Sequence, residues 1–182
     1  SEYEISLVKL GTLVTTQFLF MGLGGLPSGI LVDRFGSKFI LIIYFIGLSL
    51  SCLWLYNSTS YLSFVIGMAS LGMIAGLYHP AGLKIISHAK DVSRYMAYHG
   101  VFGSIGLASG PLFAAWVSNA YTWRIAYLGV AFISCLGLIL TLFYSEEKNK
   151  EEFYYGKISK DSVFIKSKEN GEWSSSKQSY TR

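Results

Sequence analysis

The chain has 182 residues, 52% of them hydrophobic and only 14% charged, with a formal net charge of +4. A soluble domain carries about 25% charged residues, so an ordinary water-soluble globule is excluded. The basic excess does not point to nucleic acid either, because the lysines and arginines fall at the ends of apolar segments and beyond Tyr144, not on one folded basic face.

The chain opens Ser1-Glu2-Tyr3-Glu4, with no initiator Met and no signal-peptide pattern, and reads as a fragment or a processed chain. Crossing a bilayer core takes about 20 apolar residues as helix. Five segments are expected to do so: 10–32, 39–56, 61–86, 95–118 and 123–144. Pro27, Pro80 and Pro111 fall inside three of them, which a membrane bundle tolerates because neighbouring helices and local kinks satisfy the freed carbonyls. The expected fold is all-α: a polytopic membrane helix bundle over 1–144, followed by a polar tail over 145–182.

The first two segments are joined by a short charged run, Gly29 to Lys38. Orientation follows from the short loops. One side holds Arg34, Lys38, Lys84, Lys90 and Arg94, and the other Lys9 and Arg124, so the first side is expected to be cytoplasmic. An outside Ser1 then needs a preceding helix to translocate it. Trp54, Tyr56, Tyr61, Tyr121, Trp123 and Tyr144 mark segment ends as interface anchors. Asn57-Ser58-Thr59 forms a glycosylation sequon in a very short outer loop. Lys84 and Arg94 read as snorkelling interface residues. The tail mixes Lys and Glu and reads as a flexible cytoplasmic extension; Phe153–Tyr155, Val163–Ile165 and the turn signal Asn170-Gly171 suggest a weak hairpin within it.

Glycines four apart (Gly25 and Gly29, Gly72 and Gly76, Gly106 and Gly110) let helix backbones approach closely. At about 100° per residue, His79 shares a face with Gly72 and Gly76. His99 shares one with Gly103, Gly106 and Gly110, and Gln17 with Met21, Gly24 and Ser28. Polar groups so placed point to helix neighbours or a cavity rather than to lipid. Two readings stand for them. They touch substrate or protons, histidine being the side chain that titrates near neutrality, or they make interhelical hydrogen bonds. Tyr78 neighbours His79 and joins the candidates.

No catalytic constellation is visible, and the acids of the membrane region, Glu2, Glu4, Asp33 and Asp91, lie near its edges. Cys52 and Cys135 sit in apolar runs as packing residues, so neither a metal site nor a cofactor is implied. No phosphate-binding loop signals an ATP motor. A membrane enzyme is the least favoured class.

The run Gly29 to Lys38 resembles motif A of the major facilitator superfamily, Gly-x-Leu-x-Asp-Arg-x-Gly-Arg-Lys. Gly29, Leu31, Asp33, Arg34, Gly36 and Lys38 match, and Ser37 replaces the usual Arg. The string Gly106 to Pro111 resembles motif C of the fifth helix, Gly-x-x-x-Gly-Pro, through Gly106, Gly110 and Pro111. Met68 and Leu71 stand where motif B would place Arg and Gln, against a standard drug:proton antiport mechanism. Tyr78-His79-Pro80-Ala81-Gly82 looks like the corresponding string of fosmidomycin-resistance-type exporters.

The resemblance implies helices two to six of a six-helix half-transporter, with the motif A turn joining helices two and three on the cytoplasmic side and docking on the second half. Gly29 would allow close packing there, and Asp33 would sit against a helix N-terminus. It further implies secondary transport of a small molecule by alternating access, possible coupling to protons, a multi-pass location in the plasma membrane, and a missing second half or a second copy as partner. A non-transporting scaffold or degenerate remnant, and a half-transporter working as a dimer, stand as alternatives.

Overall fold

The computed structural model describes residues 6–144 and the backbone of 164–166 and 173–175. The chain divides into two units, Ser1–Glu146 and Glu147–Arg182.

Helix α1 runs from Leu7 to Phe35, opened by Ser6, whose hydroxyl accepts from the Lys9 amide at 3.3 Å. It stops at Gly36, whose φ of 86° and ψ of 156° lie in a region open essentially to glycine alone. The next residue already begins α2, Ser37–Tyr56. A single residue therefore reverses the chain. Asn57 closes α2, and the Ser60 hydroxyl opens the following helix by accepting from the Ser63 amide at 3.2 Å.

The sequence predicts a single helix over 61–86 for the third segment. It is instead broken into α3, Tyr61–Ala75, and α4, Tyr78–Ser87. Pro80 is the physical cause: it has no N–H for the carbonyl of Gly76, and its ring crowds that carbonyl. The chain tightens there, with the Leu77 amide donating to Ile74 three residues back at 3.0 Å. Helix α5, Val92–Ala120, starts where the Asp91 carboxylate accepts from the Arg94 amide at 3.1 Å, and α6 spans Trp123–Phe143. Counting α3 and α4 as one span, five spans among the described residues are long and apolar enough to cross a membrane.

Two packed pairs organise the bundle. Helices α1 and α3–α4 run parallel: Tyr61 Oη donates to the Lys9 carbonyl, 52 positions away, and Lys84 reaches Asp33, 51 positions away. Between these points the backbones touch through glycine. A Cβ on Gly24 would strike the Met73 carbonyl, one on Gly72 the Gln17 carbonyl, and one on Gly76 would lie 2.5 Å from the Met21 carbonyl. Helices α2 and α6 run antiparallel. Their seam is marked by Lys38 at Leu142, Ser134 at Phe45, Ser49 at Ala131 and Arg124 at Tyr56. Serine-to-carbonyl bonds of this kind are the polar adhesive expected between helices in lipid.

The buried cluster Val32, Ile40, Leu41 and Ala81 sits at the Gly36 end of the bundle, with Leu31, Phe45, Leu77, Tyr78 and Ile85 packed on it. It fixes α1, α2 and α4 together beside the turn. Helix α5 is different. From Gly100 to Phe113 every residue is exposed, and no atom lies within 4 Å of a Cβ at Gly106 or Gly110. The close approach expected at those glycines, and at Gly29, is absent among the described residues; it occurs at Gly24, Gly25, Gly72 and Gly76, the Gly25 nitrogen lying 2.6 Å from a Cβ built on Gly76.

In the second unit, β1 (Phe164–Lys166) pairs antiparallel with β2 (Trp173–Ser175), with Ile165 opposite Ser174. Asn170-Gly171 falls between these strands, and 153–155, the other stretch expected in the hairpin, lies outside the described residues.

Candidate functional site

The turn around Gly36 gathers charge at one end of the bundle. Asp33 pairs with Lys84, Nζ to Oδ1 2.9 Å, and the same ammonium lies 3.5 Å from the Val32 carbonyl. Asp33 thus has an ammonium of α4 as its partner. Sequence reasoning gives Lys84 only a snorkelling role, yet its stem crosses from α4 to close the last turn of α1. A long-range partner of this kind leaves no mark in local sequence. Lys38 donates to the Leu142 carbonyl at 3.0 Å, placing a cation on the C-terminal end of α6, where the helix dipole favours it. The Arg34 guanidinium lies 5.4 Å from the Phe35 ring. Leu31 packs on the buried cluster.

A second group lies at the start of α4. The ring of Tyr78 stacks on that of His99 from α5 at 5.9 Å and 27°, and meets that of Tyr44 from α2 at 5.2 Å. His79 and His99 stand nearly perpendicular, with centroids 6.3 Å apart. His79 is exposed and His99 half-buried. Three candidates that sequence placed on two different helices, Tyr78, His79 and His99, are therefore brought together. The helix break at Gly76 and Leu77 turns α4 out of register with the glycine face of α3, so His79 faces α5 while Gly72 and Gly76 face α1. Gly82 borders the group: a Cβ there would lie in ordinary contact, 3.9 Å, with both the His99 and Tyr78 rings.

Gln17 is not a member of the group. It is half-buried, and its backbone carbonyl lies against Gly72 on the α1–α3 contact. Gly106, Gly110 and Pro111 lie along the exposed middle of α5. Tyr44 escaped sequence reasoning. The signal available was a hydroxyl-bearing ring well inside an apolar span, where a buried phenol needs a partner.

Chemically the group offers two imidazoles and two phenols, all able to donate or accept hydrogen bonds. Among the described residues the acids are Asp33, which is paired, and Asp91, which caps α5. No three His, Cys, Asp or Glu side chains among the described residues are placed to hold a metal ion.

The family model of the Major Facilitator Superfamily matches residues 1–167. A probable L-galactonate transporter of Escherichia coli (strain K12) is 26% identical over 82% of this chain and 33% of its own length. A putative glycerol-3-phosphate transporter of Arabidopsis thaliana is 29% identical over 65% of this chain and 25% of its own. An uncharacterized MFS-type transporter of Methanocaldococcus jannaschii is 25% identical over 84% and 41%. The chain thus spans well under half the length of these relatives, and their names are those of transporters rather than enzymes. With five spans among the described residues long and apolar enough to cross a membrane and a match over most of its length, the chain is an integral, multi-pass membrane protein belonging to the Major Facilitator Superfamily.

Proposed function

We propose that the polypeptide to which this chain belongs is a secondary transporter of a small molecule, working by alternating access, with this chain contributing helices two to six of its first half. The observation that carries the reading is the cluster of Tyr44, Tyr78, His79 and His99 at an interrupted span. Ionisable groups inside a span are costly and are retained for pathways and coupling, and broken helices mark transporter binding sites. In this reading Tyr78, His79 and His99 line the cavity. Gln17 borders it from α1, and the turn from Gly29 to Lys38 bears on a helix of the second half.

The basic residues Arg34, Lys38, Lys84, Lys90 and Arg94 outnumber Lys9 and Arg124, which supports a cytoplasmic turn. Residues 145–182 then form a cytoplasmic tail that follows the membrane domain, residues 1–144, in a protein of the plasma membrane. None of the relatives reported above is named as a fosmidomycin exporter, and that narrower resemblance carries no proposal.

The test is cysteine accessibility in the natural polypeptide. Single cysteines at Gln17 and His79 should be alkylated by impermeant reagents added from either side of the membrane, in proportions that change together when a substrate gradient is imposed. Labelling from one side only, indifferent to any gradient, overturns alternating access.

A further inference from the structure

We propose that the β1–β2 hairpin beyond α6 is a docking surface for an anionic lipid bilayer, the face that carries Phe164, Lys166 and Trp173 lying on the headgroup layer of the membrane that the helices cross. The inference concerns the second unit alone and holds whatever the chain transports.

Three observations carry it. The first is register. Phe164 stands opposite Ser175, Ile165 opposite Ser174 and Lys166 opposite Trp173. Residues directly opposite in an antiparallel pair share a face, and successive residues along a strand alternate between faces. Phe164, Lys166, Trp173 and Ser175 therefore occupy one face, and Ile165 and Ser174 the other. Two aromatic residues with a lysine beside both is the composition of an interfacial surface: the aromatics favour the boundary between headgroups and acyl chains, and the lysine favours anionic lipid.

The second is charge. Between 157 and 182 six lysines and arginines stand against three acids, and two of those, Glu169 and Glu172, fall in the connection between the strands. Lys166 is the one charge within the strands themselves. The surplus is positive and complements anionic headgroups, with an attraction that acts within about 8 Å of the surface at physiological salt.

The third is support. Among the described residues the sheet has two strands, and a lone two-stranded hairpin is marginal in water unless one face is packed. Helix α6 brings the chain to the bilayer surface at its end, and β1 begins 20 positions beyond Tyr144. A stretch of that length extends at most about 70 Å. The chain itself keeps the hairpin within reach of the membrane, whereas a soluble partner must be recruited from solution.

The experiment uses the natural polypeptide, with its other cysteines replaced, in nanodiscs of phosphatidylcholine alone or with about 30% phosphatidylglycerol. A fluorophore is attached through Ser175→Cys, on the proposed lipid face, or Ser174→Cys, on the other, and its quenching by acrylamide is measured. In anionic nanodiscs at about 0.1 M salt, the label at 175 should be quenched at least about threefold less than the label at 174. That difference should be lost in phosphatidylcholine alone and at about 1 M salt. Lys166→Glu and Trp173→Ser should each abolish it, with the melting temperature of the helical bundle unchanged. In the unlabelled protein, amide hydrogen exchange over 164–175 should slow in the anionic nanodiscs and recover at high salt. Exchange identical in both lipids overturns the proposal even where a label disturbs a strand. Equal quenching at 174 and 175, or a difference indifferent to lipid charge and salt, also overturns it. A difference that persists in uncharged detergent micelles means that protein covers the face, and overturns it too. None of these outcomes bears on alternating access, which the labelling experiment above judges separately.

Discussion

Lys84 Nζ lies 2.9 Å from Asp33 Oδ1, so a residue of α4 closes the end of α1 beside the single-residue turn at Gly36. The side chains are 25% and 77% exposed. An ion pair so open to solvent contributes about 0–1 kcal/mol, too little to hold the bundle together. Its consequence is geometric: it fixes where the turn faces.

Asp33→Asn and Lys84→Met should therefore lower the melting temperature by no more than about 2–4 °C. In the natural polypeptide, Asp33→Asn should nevertheless cut substrate flux severely, and the exchange of both charges (D33K with K84D) should restore more than either single change. Wild-type flux in Asp33→Asn would remove the turn from the mechanism.

Gly36→Ala tests the turn itself. With φ at 86° and ψ at 156°, the backbone is strained for any side chain, at a cost of about 1–3 kcal/mol. Asn, which rescues ordinary left-handed positions, should fail here because ψ is wrong for that region. Melting temperature of the purified chain checks both substitutions, and a stable Gly36→Asn protein would show that the turn adopts another shape.

The spans are legible in the sequence because length and apolarity are local properties, and their ends agree with the structure to within a few residues. Partners are not. Spacing identifies glycine pairs but cannot say which neighbour they meet: Gly25 and Gly29 stand out together in the sequence, yet Gly25 lies with Gly24 against Gly76, while nothing lies within 4 Å of a Cβ on Gly29. Pro80 is visible, but the break falls earlier, at Gly76 and Leu77, because proline disables the carbonyl four residues behind it. His79 and His99 each stand out as polar residues in an apolar span. Their proximity depends on how α4 and α5 pack, which no local pattern encodes.

Gly72→Ala and Gly22→Ala form a contrasting pair. A Cβ on Gly72 would strike the backbone carbonyl of Gln17, which cannot swing aside, while one on Gly22 meets no atom within 4 Å. Overpacking of this kind costs about 1–3 kcal/mol, whereas alanine in an open helical position gains up to about 1 kcal/mol over glycine. The first substitution should lower the melting temperature and the second leave or raise it. Equal effects would mean that α1 and α3 do not touch as described.

Arg124 governs the opposite end of the bundle. Its Nη1 donates to the carbonyls of Tyr56 at 2.8 Å and Ser58 at 2.7 Å, with the guanidinium 4.7 Å from the Trp123 ring. The Tyr56 carbonyl belongs to the end of α2, where a helix leaves its last acceptors unpaired, and that of Ser58 to the loop just beyond it. The planar, multiply donating guanidinium can bridge two such acceptors, which a lysine ammonium on a flexible stem does less well. Arg124→Ala should cost about 1–3 kcal/mol, and Arg124→Lys should recover only a fraction of it. The same contact holds the loop that carries Asn57, whose side-chain amide is engaged with the Leu53 carbonyl at 2.8 Å. Amide hydrogen exchange over 57–60 should therefore quicken in Arg124→Ala while exchange around Gly36, at the far end of α2, stays as it was. Quickening at both ends would mean that α2 and α6 separate as a whole, and that Arg124 stabilises the helix pair rather than the loop.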